Sequence, residues 1–273
     1  MPVCRLGAIG WRRRAEKDEH QRKRSTLDPL HQFHITPIIP LVIGGVDVNF
    51  NNAALAMVLA CVLISALLIV GTRKRALVPG RLQSLAEILY DFVSNIVREN
   101  AGEEARPFFP LVFTIFTFVL FGNMLGMVPY MFTFTSHLIV TFTLAFMVFL
   151  FVTVLGFVRH GLHFFAFFMP PGAPIALAPV LVPIEIISYF IRPVSLSVRL
   201  FANMMAGHTM LKVFAGFSVM MVASMGGVGY FVAMAPVAIN VALVGFELMV
   251  AFVQAYVFAL LSCLYIRDAI EMH

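Results

Sequence analysis

Residues 183–216, PIEIISYFIRPVSLSVRLFANMMAGHTMLKVFAG, decide how this chain is read. The stretch is apolar enough for a bilayer, yet it carries Glu185, Arg192, Arg199, His208 and Lys212. A charged side chain near the bilayer centre costs roughly 2.5 to 3.5 kcal/mol on insertion scales, so such groups face a partner or a water-filled path. Glu185, Arg192 and Arg199 recur every seven residues, about two helical turns, which predicts one shared face. Asn203 extends that stripe by one turn. A second long apolar segment, between Gly226 and Arg267, repeats the period with Asn240, Glu247 and Gln254. Between Pro107 and Arg267 the only carboxylates are Glu185 and Glu247. Two helices, each apolar outside and polar along one seam, predict a protein-lined polar path within a membrane.

Composition agrees. With 60% hydrophobic residues and a mean hydropathy of +0.92, the chain lies far outside the soluble range and has several runs long enough to cross a bilayer. Period-two alternation, the mark of a membrane β-barrel, is absent from the sequence. The expected fold is an all-α integral membrane protein with about five crossing helices and one amphipathic surface helix. The last two helices are long and should be strongly tilted. The basic balance, pI about 9.4, sits at the N-terminus and at segment ends, which fits topology and lipid headgroups rather than a nucleic-acid partner. Cys4, Cys61 and Cys263 lack metal-type spacing, and no cofactor is called for.

In chain order, residues 1–27 read as a disordered basic extension without the apolar core of a secretory signal. Residues 28–273 read as one polytopic membrane domain. His31 and His34 lack a second pair of ligands, and Pro37, Pro40, Gly44 and Gly45 prevent a helix there. Ala53 to Gly71 is the first span, closed by Arg73, Lys74 and Arg75. From Leu82 to Glu104 the pattern becomes amphipathic, with Leu85, Ile88, Leu89, Phe92, Val93, Ile96 and Val97 on one face. Pro107 to Tyr130 and Ser136 to Val158 are further spans. Asn123 fits either a single interhelical hydrogen bond or the lining of a water path. Residues 160–179, broken by prolines, read as a re-entrant or interfacial turn. The long helices are expected over about 179–217 and 230–266, joined by the glycine-containing connection 218–229. Lys and Arg at span ends put the C-terminus inside and the N-terminus outside.

RPVSLSVRLFANMMAGH, with the Glu247-to-Gln254 spacing and the closing YIRDAIEMH, resembles subunit a of the F-type ATP synthases over roughly residues 28–273. The resemblance implies a membrane stator subunit that catalyses no covalent chemistry and conducts protons through two half-channels against a rotating c-ring, coupling proton flow to rotation and ATP synthesis. It implies as partners the c-ring, a subunit b-type peripheral stalk, the other ATP synthase subunits and membrane lipid. Arg199 then takes the family's fixed barrier position, and a guanidinium suits that role because it keeps its charge at any physiological pH. His208, Glu247, Asn203 and Gln254 fall in the half-channel from the periplasm or intermembrane space. Glu185 falls in the opposite path, or else pairs with Arg192. Asn240, Asn123, Ser195 and Ser188 are possible lining; the serines fit bonding back to their own helix equally well. The exchange of acid and histidine between positions 208 and 247, relative to some bacterial members, implies an alphaproteobacterial or mitochondrial type, in a bacterial inner or mitochondrial inner membrane. The competing reading is a secondary ion transporter with its own Arg/His/Glu site, which calls for internal repeats that the sequence lacks.

Overall fold

The computed structural model describes residues 37–39, 42–43, 46–47, 49–73, 78–128, 131–161, 164, 168 and 177–271. Residues 1–27, the His31/His34 pair and most of the proline-broken turn at 160–179 lie outside them. Two short antiparallel ladders open the fold: β1 (Pro37–Ile39) pairs with β4 (Phe50–Asn51), and β2 (Val42–Ile43) pairs with β3 (Val46–Asp47). The prolines and glycines that rule out a helix here leave extended chain to pair with itself.

α1 (Asn52–Arg73) is a first crossing helix. It buries a stripe of small residues, Ala53, Ala56 and Ala60, against Phe134, and turns Leu55, Val58, Val62 and Ile69 outward. Small residues on the packing face let helices approach closely in lipid, where apolar area drives no association. α2 (Arg81–Ala101) is the amphipathic helix expected from the pattern, and it ends at Gly102, whose φ of 78° suits glycine. Its buried face is Ala86, Leu89, Val93, Ile96, Val97 and Ala101. Leu85 and Ile88, expected on that face, are exposed instead at 45% and 63%. They sit on the helix flank, where lipid can cover them.

A 3₁₀ turn, Glu103–Phe108, leads into α3 (Phe109–Gly126), and α4 (Leu138–His160) follows after a second turn at Phe134–Ser136. Glycines set the close approaches. A Cβ on Gly122 would strike the Phe134 ring, and one on Gly126 would meet the Thr133 side chain. The last helical stretch, Ala178–Ile270, is broken at Gly226, whose backbone (φ 58°, ψ −130°) is non-helical. We call residues 178–225 α5 and 227–270 α6. The sequence predicts a longer connection, 218–229; the structure confines it to one glycine, because Gly226 alone supplies the positive φ and the apolar residues on either side continue the helices. Each helix has more than twice the roughly 20 residues that a crossing needs, so neither can stand upright in a bilayer. With α1, α3 (with its leading turn) and α4, which are also long and apolar enough to cross, the helices give a multi-pass membrane protein.

The chain divides into two compact units. The main unit holds Ile35–Met205 and Phe246–His273; the described part of the other is Ala206–Gly245. The main core includes Val93, Phe116, Val119, Leu196, Leu200 and Phe258, so residues from α2, α3, α5 and α6 meet in it.

Candidate polar seam of the membrane helices

Within the main unit α5 and α6 run antiparallel. Arg192 meets Asp268, and further up α5 Asn203 meets Gln254, lower in number on α6. The Arg192 guanidinium lies 3.0 Å from Asp268 Oδ2. It also lies 5.6 Å from the centroid of Tyr189 and 5.3 Å from that of Tyr265. The Tyr189 hydroxyl is 2.7 Å from Thr153 Oγ1 on α4. The Asn203 amide donates to Gln254 Oε1 at 2.8 Å. Gln254 and Glu247 are almost fully buried, at 3% and 4% exposure. Asn123 of α3 is completely buried and donates to the carbonyl of Ala251 at 3.3 Å. Ala251 sits one helical turn from both Glu247 and Gln254, so this bond ties α3 to the middle of the α6 seam.

Arg199 behaves differently. It lies on an exposed part of α5, among Val194 and Val198, which are 45% and 44% exposed. Among the described residues it makes no hydrogen bond and no ion pair. Glu185 is half-buried and likewise has no ion pair among the described residues; the partner of Arg192 is Asp268. Ser195 and Ser188 are exposed. Ser197 is buried and donates to its own helix at Val194 O, 2.9 Å. In the other unit His208 is buried and Asn240 is half-buried.

Of the residues expected at a site, the structure thus brings Asn203 and Gln254 together and sets Asn123 beside them, with Glu247 on the same stripe. Asn123, open between two readings in the sequence, makes the interhelical bond. Asp268 was missed, although its signal was legible: it lies fourteen residues past Gln254 on the Asn240–Glu247–Gln254 repeat. Its position beyond Arg267, outside the apolar run, hides it. The Ala251 carbonyl had no signal at all, since any residue carries one.

These features define a polytopic helical membrane protein with a buried polar seam along an antiparallel helix pair and an uncovered arginine beside it. The chain belongs to the ATP synthase A chain family, whose sequence model matches residues 54–267. It is similar to proteins named ATP synthase subunit a in three bacteria. That of Granulibacter bethesdensis is 54% identical over 248 residues, covering 91% of this chain and 98% of the relative. That of Parvibaculum lavamentivorans is 55% identical over 245 residues, 90% and 94%. That of Mesorhizobium japonicum is 53% identical over 245 residues, 90% and 97%. All three are alphaproteobacterial, as the arrangement at positions 208 and 247 implied.

Proposed function

We propose that this chain is the proton-conducting stator subunit of an F-type ATP synthase, working against a ring of c subunits. It catalyses no covalent chemistry itself. One observation carries the reading: Arg199, in a helix long and apolar enough to cross a membrane, is exposed on its own chain and has no ion pair among the described residues. A guanidinium cannot shed its charge, and facing hydrocarbon would cost roughly 2.5 to 3.5 kcal/mol or more. A carboxylate brought to it from another subunit removes that cost. Within about 4 to 6 Å the guanidinium also favours the ionised acid, so a protonated rotor carboxyl arriving there releases its proton.

In this reading Arg199 separates two half-channels. Asn203, Gln254, Glu247 and His208 serve one of them, with Asn123 and Asn240 as lining. Glu185 serves the other, and Ser188 and Ser195 on the same helix are possible lining. The complex sits in the inner membrane, the C-terminus of this chain lies inside, a b-type stalk holds it against the rotor, and residues 1–27 form a basic extension to the single domain 28–273. A secondary transporter would instead need an acid of its own at Arg199, and the described residues offer none in contact with it.

The test is ATP-driven proton pumping in inverted membrane vesicles carrying Arg199→Ala, with assembly of the complex measured in parallel. Loss of pumping in an assembled complex is the expected result. Pumping at near-normal rate in Arg199→Ala would overturn the assignment.

A further inference from the structure

Two clefts open along α2, both within the main unit. The first, about 590 Å³, is walled by Leu68, Ile69, Phe109 and Phe113 and carries Glu87 and Asp91. The second, about 480 Å³, carries Ser94, Arg98 and Arg106 together with the carboxylate of Glu103. Both are lined by Tyr90, Phe109 and Pro110, so they are adjoining chambers. Glu87, Asp91, Ser94 and Arg98 follow one another at helical spacing along one flank of α2, next to its buried face. The flank therefore changes from negative to positive over about 10 Å, the axial rise between Asp91 and Arg98.

The chain does little to neutralise these charges. Glu87 accepts a hydrogen bond from Gln83 at 2.8 Å. Arg106 reaches Glu103 only at 3.9 Å, with side chains 85% and 72% exposed. Asp91 and Arg98 have no hydrogen bond or ion pair among the described residues. The last turn of α1 and the first turn of α3 line the first chamber. Both are span ends, the level at which hydrocarbon gives way to headgroups.

We propose that this double cleft binds a zwitterionic aminophospholipid. Its phosphate sits between Arg98 and Arg106, its ammonium meets Glu87 and Asp91, and one acyl chain lies against Leu68, Ile69 and Phe113. Guanidinium groups suit a phosphate, and a primary ammonium brings three donors to the two carboxylates. A purely anionic lipid answers the arginines but leaves the acids facing like charge. The proposal rests on the membrane placement of α1 to α3 and not on the proton path.

The test uses the full chain with Trp11→Phe and a reporter, Phe113→Trp, in phosphatidylcholine vesicles containing phospholipids brominated on their acyl chains. Leu68→Trp is a second reporter should the first fail to fold. Brominated phosphatidylethanolamine is expected to quench the reporter with about a fivefold preference over brominated phosphatidylglycerol or phosphatidylcholine, the scale of a few partly exposed charge contacts. That preference should fall to near one in Arg98→Gln/Arg106→Gln and in Glu87→Gln/Asp91→Asn, and persist in Arg81→Gln. Equal quenching by all three lipids overturns the proposal; bulk lipid or a protein partner then covers the cleft. Stronger quenching by phosphatidylglycerol that is indifferent to the acid substitutions overturns it in favour of a simple anion site. Relief of quenching by inorganic phosphate or soluble glycerophosphoethanolamine overturns the lipid assignment in favour of a headgroup-only site.

Discussion

Removing the Arg192–Asp268 clamp is the perturbation whose size the structure allows to be worked out. The two side chains are 26% and 43% exposed, so the pair at 3.0 Å belongs nearer the solvent-screened regime than the buried one. Its coupling should be about 1 kcal/mol. The guanidinium also faces Tyr189 and Tyr265, contacts of about 0.5 kcal/mol each at partly exposed sites. Arg192→Ala should then cost about 2 kcal/mol, and Asp268→Asn about 1 kcal/mol. Arg192→Lys keeps the charge and loses the planar stack, so it should fall between. The assay is a double-mutant cycle on the purified chain, unfolded in mixed micelles with increasing denaturing detergent. A functional arm sharpens it. Arg199 lies two turns further along the same face of α5, and loosening the clamp frees that helix to shift along α6. ATP-driven pumping should fall several-fold in Arg192→Ala and much less in Arg192→Lys. A coupling below about 0.3 kcal/mol together with unchanged pumping would refute the view that this pair sets the helix register.

Asn123→Ala removes the one described bond between α3 and the Glu247–Gln254 seam, and should cost about 1 kcal/mol in the same unfolding assay with reduced pumping; a stability equal to the parent would rule out a structural role for that bond. Gly122→Ala drives a methyl into the fully buried Phe134 ring and should destabilise by about 1 to 3 kcal/mol, with Phe134→Leu as second substitution restoring part of the loss. His137, just before α4 and stacked on Phe132, has a pKa held below its ordinary 6.5 by burial. The unfolded chain therefore takes up a proton that the folded chain resists, so stability present above pH 6.5 should be lost as the pH falls through the depressed folded value. Thermal unfolding of the parent and of His137→Gln across that range checks it; parallel pH profiles would count against the assignment.

Membrane residence, the all-helical class, the amphipathic α2 and the two polar stripes were all readable along the chain. They depend on local periodicity and on the cost of charge in lipid, which act within a single helix. The sequence also placed the break between the last two helices within 218–229, although not that it is confined to Gly226. Pairing between helices was another matter. The seven-residue spacing put Glu185 and Arg192 on one face and so left them as possible partners. Antiparallel packing instead brings Asp268, seventy-six residues away, to the guanidinium. Likewise Asn123 satisfies itself on a backbone carbonyl 128 residues distant, an acceptor that no residue identity marks. Whether Arg199 is covered by its own chain depends on which side of α5 the core residues Leu196, Leu200 and Met204 occupy. A helix's own pattern defines its faces; only the neighbours that the tertiary structure supplies decide what each face meets.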